Sequence, residues 1–215
     1  MNVISAPALE GLGFDTVATC TDAQLDALWA LGYRAAAVYL PLPGGRLTHA
    51  PEYVARLLER GWQVWPVQHV RYHVGNLVGQ LSGAVDALSA CTAAKAMGFP
   101  KGVHVYQDLE DVTGSTEEAI KFATDFASTC VLSGYLAGLY HGFAVPLNAS
   151  QLYNLRFVTS YWTDAGNRPV FRRGNAITQK ATITVAGVQI DPDVISRDSL
   201  GELPVFAVSA PDEVA

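Results

Sequence analysis

The run Val103-His104-Val105-Tyr106-Gln107-Asp108-Leu109-Glu110-Asp111 is a short apolar stretch that ends in closely spaced carboxylates. Successive side chains of an extended strand point to opposite sides, so Asp108 and Glu110 share one face and Asp111 takes the other. Two acids converging on one pocket repel each other and lose solvent. One carboxyl then keeps its proton while its neighbour stays ionised, which is the equipment for splitting an acetal such as a glycosidic bond. Val105 and Leu109 are expected to raise the pKa of Glu110. The same residues also fit a solvated strand edge or a helix cap, so the pair needs a scaffold that places it in a cleft.

Strand-like and helix-like segments alternate along the chain and supply that scaffold. Residues 13–15 form a first short strand, and Thr21-Asp22 caps an amphipathic run over 23–31 that Gly32 stops. A second strand follows at 35–40. Pro51 opens a helix over 52–60, Gly61 ends it, and 62–67 is the third strand. A helix over 79–97 leads to the fourth strand, the one with the paired acids. A helix over 116–132 and a strand over 135–140 follow. The last third is less regular, with a short helix at 149–155 and strands at 157–162, 176–180 and 188–191. This parallel β/α alternation closing at about eight strands predicts an α/β fold, a single irregular TIM-type barrel with weak or missing helices in the C-terminal third. A doubly wound open sheet is the alternative. One domain is expected over 1–215, with a core at about 11–200 and a closing tail from 201. No repeat, low-complexity tract or linker interrupts it.

In such barrels the active site lies at the carboxyl ends of the strands. Asp15, Asp108, Glu110 and Asp191 each fall at the end of a predicted strand, and strands one and eight are neighbours in a closed barrel. The four acids are therefore expected at one mouth. Tyr39, Tyr72, Tyr106, Tyr140, Tyr161 and Trp162 lie near strand ends, where aromatic faces stack on sugar rings or simply fill the core.

Composition narrows the partners. Half of the 215 residues are hydrophobic and 16% are charged, as in a globular chain able to bury a substantial core. The balance of 14 basic against 20 acidic residues gives a net charge of −6. The longest basic cluster is Arg172-Arg173, so no nucleic-acid partner is expected. No apolar run reaches the length of a membrane span, and the start Met1-Asn2-Val3-Ile4 lacks the regions of a signal peptide. Those features predict no membrane partner, and a cytoplasmic location or release by a non-classical or phage-type route. Cys20, Cys91 and Cys130 are odd in number and lack metal-site spacing, so they read as small buried hydrophobes. Oligomeric state is left open.

Other chemistries find less support. His69 and His73 have the i, i+4 spacing of helical metal ligands but follow a strand without helical periodicity. With His104 and His141 near strands, a metal-dependent deacetylase is a lesser alternative. No Gly-x-Ser-x-Gly elbow is present, and Gly44-Gly45 lacks the Lys-Ser/Thr of a phosphate loop.

The ordered pieces Gly13-Phe14-Asp15-Thr16, Tyr33 to Tyr39, Gln107-Asp108-Leu109-Glu110-Asp111, Gly138-Leu139-Tyr140, Tyr161-Trp162, Gln179 and Gly187-Val188-Gln189-Ile190-Asp191 resemble the family 25 glycoside hydrolases. That family comprises muramidases on an irregular β/α barrel. The resemblance is closer still to related glycoside hydrolase-like domains of unknown function, and it spans about 11–196. It implies Glu110 as proton donor and Asp108 as the group that stabilises positive charge or orients an N-acetyl group. Asp15 and Asp191 would hold the charge and geometry of the pocket, and Tyr39, Tyr106, Tyr140, Trp162 and Gln179 would bind substrate. No metal or cofactor is implied. The substrate it implies is an N-acetylhexosamine-containing polysaccharide such as bacterial peptidoglycan. The family's strand-six aromatic signature is reduced here to Trp162-Thr163-Asp164-Ala165, so a non-catalytic glycan-binding barrel is the alternative.

Overall fold

The computed structural model describes residues 2–41, 49–68, 76–77, 82–166 and 169–210. In chain order the strands are β1 (Val3–Pro7), β2 (Gly11–Asp15), β3 (Tyr33–Leu40), β4 (Gln63–Gln68), β5 (Asn76–Leu77), β6 (His104–Leu109) and β7 (Val112–Thr113). They continue with β8 (Leu136–His141), β9 (Val158–Asp164), β10 (Ile177–Gln179), β11 (Ile183–Val185), β12 (Val188–Ile195) and β13 (Val205–Ser209). The helices are α1 (Asp22–Ala30), α2 (Pro51–Glu59), α3 (Gly83–Ala96), α4 (Thr116–Leu132) and α5 (Ala149–Tyr153).

Local chemistry sets the helix ends. Thr21 and Gln24 form a reciprocal capping box on α1, and Ser115 with Glu118 does the same for α4, satisfying amides that would otherwise lack partners. Pro51 opens α2, where its missing N–H costs nothing. Gly32 and Gly61 follow α1 and α2 with φ of 94° and 82°, a left-handed turn that a Cβ would strain.

Eight strands close into a barrel in the order β2-β3-β4-β6-β8-β9-β10-β12 and back to β2. Helices cover the first half, only the short α5 precedes β9, and none of the described residues between β9 and β12 is helical. The expected irregular barrel is therefore present, and the open sheet is not. One strand departs from the expected parallel order. β12 runs antiparallel to both β10 and β2. It also continues to Ile195 instead of ending at Asp191.

Two apolar layers sandwich the strands. Val38, Val64, Val105, Leu109 and Leu139 face outward beneath the helices, while Trp65, Tyr106, Trp162 and Ile195 fill the barrel itself. Phe206 of β13 stacks on Trp65 at 4.8 Å, and Trp162 meets Trp65 edge-on at 6.0 Å, which plugs the floor. The tail thus acquires a role that its composition did not reveal. β4 and β6 pair only through Val67–Tyr106 and Gln68–Gln107. Below that, Ala207 of β13 pairs with Val64, and the Val205 amide donates to His104 Nδ1 at 2.8 Å. β1 then lies against the outer side of β13.

Candidate active site

At the carboxyl ends of the parallel strands opens a cleft of about 180 Å³, lined by Asp15, Tyr39, Val67, Asp108, Glu110, Tyr140, Trp162, Gln179 and Asp191. All four sequence-predicted acids meet there, together with Tyr39, Tyr140, Trp162 and Gln179. Asp108 lies on β6 and Glu110 one residue past its end, on the inner face that parity assigns. Asp191 arrives by a different route from the one expected. It sits in the first half of the reversed β12, directly across from Asp15, so the reversal brings an early residue to the rim where carboxyl ends gather.

Hydrogen bonds fix the floor. The Tyr39 hydroxyl donates to Asp15 Oδ1 at 2.7 Å, and Gln179 Nε2 donates to Asp15 Oδ2 at 2.8 Å. The Tyr140 hydroxyl in turn donates to Gln179 Oε1 at 2.8 Å, orienting the amide. Burial and the charges of Asp15 and Asp108 push the Tyr39 phenol well above its ordinary range, which keeps it a donor. On the rim, Thr182 donates to Asp191 Oδ1. Trp162 leans on Tyr140 with ring centroids 4.6 Å apart, forming one aromatic wall.

Glu110 is pushed from an ordinary 4.5 to about 7, by burial first and then by the charges of Asp111, Asp164 and Asp191. Val105 and Leu109 do not contribute as expected, because they face the outer layer beneath the helices. Asp111 does contribute. The strand ends at Leu109, and Asp111 takes a left-handed φ of 49°, so the alternation that would put it on the far face no longer applies. Gly142 backs the Glu110 side chain: a Cβ there would lie 2.6 Å from Oε2 and 2.7 Å from the Tyr140 ring.

Asp15 is raised to about 7 by burial, against the lowering effect of Tyr39. Beside it lies a carboxyl that the sequence reading did not select. Asp193 is fully buried and accepts a 2.7 Å bond from Trp162 Nε1. Burial, followed by the Asp15 charge, pushes it well above the ordinary carboxylate range. It shares the inward face of β12 with Asp191, the same two-residue spacing that singled out Asp108 and Glu110.

Tyr106, His104 and His141 lie elsewhere. Tyr106 is enclosed in the barrel with its hydroxyl 2.6 Å from Ser160 Oγ, one layer below the cleft, and it lines no part of it. His104 and His141 cannot act as a pair. His104 aligns with Leu136 and His141 with Leu109, which separates them by five positions, about 16 Å along the strands. His69, His73, Tyr72 and Gly44-Gly45 lie outside the described residues. Among those described, no group of three or more His, Cys, Asp or Glu is arranged to hold a metal ion, and no helix is long and apolar enough to cross a membrane. Cys20, Cys91 and Cys130 are buried and free.

An eight-stranded β/α barrel with a carboxylate-lined cleft at the carboxyl ends of its strands is the architecture of a glycoside hydrolase-like protein. The family model of the Rv2525c-like, glycoside hydrolase-like domain matches residues 26–195, and the chain belongs to that family. No curated protein matches it. The Tat-secreted protein Rv2525c of Mycobacterium tuberculosis, crystallised with L-tartrate, has the same fold. It is 18% identical at a TM-score of 0.67, over 90% of this chain and 99% of that one. GHIP of Streptococcus pneumoniae, described as a glycosyl hydrolase 25 and virulence factor, is 18% identical at a TM-score of 0.53, over 86% of each chain. The modular autolysin LytC of S. pneumoniae, in complex with a synthetic peptidoglycan ligand, is 12% identical at a TM-score of 0.56, over 86% of this chain and 46% of that one. The expected resemblance to family 25 barrels holds at the level of fold. A secreted structural relative lends no support to the cytoplasmic expectation.

Proposed function

We propose that this protein hydrolyses an N-acetylhexosamine-containing polysaccharide, bacterial peptidoglycan being the leading candidate, with Glu110 as the general acid. The observation that carries this reading is the pairing of a Glu110 carboxyl raised to about 7 with three further acids in the same cleft. Near neutral pH Glu110 holds a proton it can give to the leaving glycosidic oxygen. The ring carbon then develops positive charge as the bond breaks, the carboxylates of Asp108 and Asp191 stabilise it from fixed positions, and water adds to that carbon and gives up a proton, completing the hydrolysis. Asp15 holds the geometry of the pocket through Tyr39 and Gln179. The resemblance to family 25 supports a second role for Asp108, which lines the same cleft, in orienting an N-acetyl group. Tyr39, Tyr140, Trp162 and Gln179 give the sugar an aromatic wall and polar partners. The peptidoglycan ligand of the LytC complex supports the substrate class.

Glu110→Gln keeps the shape of the side chain and removes the acid. Turnover on purified peptidoglycan should fall roughly 10²-fold or more, since general acid catalysis contributes about 10²–10⁴-fold. An unchanged rate overturns the assignment. The aromatic wall of Tyr140 and Trp162 also fits a glycan-binding barrel without catalysis. Wild-type protein that binds peptidoglycan but releases no fragment from any N-acetylated glycan would establish that second reading. Dialysis against a chelator should leave turnover intact, whereas loss of activity with stoichiometric zinc would point to the deacetylase class.

A further inference from the structure

We propose that Asp193 is a neutral carboxyl whose proton ties it to Asp15, and that it positions both Asp15 and the Trp162 indole at the floor of the cleft. Three observations lead there. Asp193 is fully buried, and its Oδ1 is held by Trp162 Nε1 at 2.7 Å. Its Oδ2 is equally buried and has no donor among the described residues. The side chain it meets is that of Asp15, itself a carboxyl. Two ionised carboxylates brought together have no hydrogen between them, and the contact would be repulsive. A proton on one of them turns it into a hydrogen bond and removes the orphaned acceptor.

Their other partners decide where the proton resides. Asp15 accepts from two donors, Tyr39 and Gln179, and both favour its ionised form. Asp193 has only the Trp162 indole. In keeping with that difference, Asp15 is raised to about 7, while Asp193 is pushed well above its ordinary range. The other groups facing Asp193 reinforce the assignment. Asp191, on the same strand, adds negative charge. Tyr33, Tyr39 and Tyr106 from β3 and β6 are phenols held above their ordinary range chiefly by burial, so they offer it no cation. The proton therefore belongs to Asp193, and when Asp15 ionises it has a third donor beneath it. This arrangement is a supporting one: Asp193 does not line the cleft and acts through the two residues that do.

Two measurements test the proposal, and only the second rests on the glycosidase reading. In protein carrying 13C at the aspartate carboxyls, one signal should keep the chemical shift of a protonated acid from pH 6 to 8. It should vanish in Asp193→Asn. No protonated signal over that range, or one that survives in Asp193→Asn, overturns the proposal, whatever the protein does to glycans. In turnover, Asp193→Ser removes both bonds and should lose on the order of 10-fold to 10²-fold through misplacement of the floor. Asp193→Asn retains an acceptor for Trp162 and a donor for Asp15, so it should recover most of that loss. Equal loss in the two variants overturns the positioning role. Absence of turnover in the wild type removes the glycosidase reading and leaves the carboxyl signal to decide.

Discussion

Asp191 on β12 faces Asp15 on β2 across an antiparallel strand pair, so residues from opposite ends of the chain meet at one rim. Had β12 run parallel like the seven other barrel strands, a residue so early in it would lie near the closed floor. The reversal has an electrostatic consequence, because the Asp191 charge helps to raise both Asp15 and Glu110. The seam where the barrel closes thus adds to what keeps a proton on the acid, after burial and the charges of Asp111 and Asp164.

Glu110 must be protonated to act, so turnover should decline as pH rises through about 7, the value to which its carboxyl is pushed. After burial, the largest cause is the Asp111 charge, followed by that of Asp164. Neutralising either one should lower the Glu110 pKa and move the alkaline limb toward lower pH. Asp111→Asn is the cleaner variant, since asparagine tolerates the left-handed backbone at that position. A pH–rate profile of Asp111→Asn that coincides with wild type would show that this charge does not reach Glu110.

Gly142→Ala should reduce turnover and cost stability as well. The new methyl would sit 2.6 Å from Glu110 Oε2 and 2.7 Å from both Glu110 Cβ and the Tyr140 ring, so more than the end of the carboxyl has to move. The acid and the aromatic wall beside it are both displaced, and a misplaced acid loses its reach. A fall of about 10-fold or more in turnover, with a melting temperature below that of wild type, is expected. Wild-type turnover would mean that Glu110 does not work from the position it occupies.

Tyr106→Phe should leave glycan binding unchanged and cost roughly 1 kcal/mol of stability, because it removes a buried hydrogen bond to Ser160 and touches no part of the cleft. Gly138→Ala should be worse, at about 1–3 kcal/mol, since the added Cβ would lie 2.5 Å from the Tyr106 ring inside a packed barrel. Urea unfolding measures both. Weakened glycan binding in a folded Tyr106→Phe protein would return that residue to the site.

Much of this arrangement was legible because side-chain parity is a local property. Asp108 and Glu110 share a face in any extended strand, and the caps and glycines that bound α1, α2 and α4 can be read directly from the sequence. Strand direction cannot be read that way, since nothing in Val188 to Asp191 marks whether the chain is going up or down. Pro192 hid the rest of β12, because a proline within an apolar run argues against a strand continuing. Asp193 therefore lies beyond the predicted strand over 188–191, although its spacing from Asp191 carries the signal. Tyr106 shows a further limit: parity assigns a face but not a depth, and one layer separates a cleft wall from a core. The role of the tail depends on the gap between β4 and β6, a relationship that only the closed barrel creates.

The buried carboxyls should also appear in the pH dependence of stability. An acid whose pKa is higher in the folded state than in the unfolded chain binds more protons when folded. Its contribution is fully favourable below the ordinary carboxylate range and is lost as pH rises toward the folded value. Glu110 and Asp15, each raised to about 7, lose theirs between about pH 4 and 7. Asp193, pushed well above its ordinary range, loses its contribution in the same direction as pH rises. Asp193→Asn removes the titrating group while retaining a donor and an acceptor. The variant should therefore gain stability relative to wild type as pH rises, by at most about 1.4 kcal/mol per pH unit, or roughly 2–4 °C in Tm for each kcal/mol. Melting curves at pH 5, 6, 7 and 8 measure that widening gap. Parallel curves for the two proteins would mean that Asp193 is already ionised in the folded state at pH 5, and with it the neutral-acid picture of the cleft floor would fall.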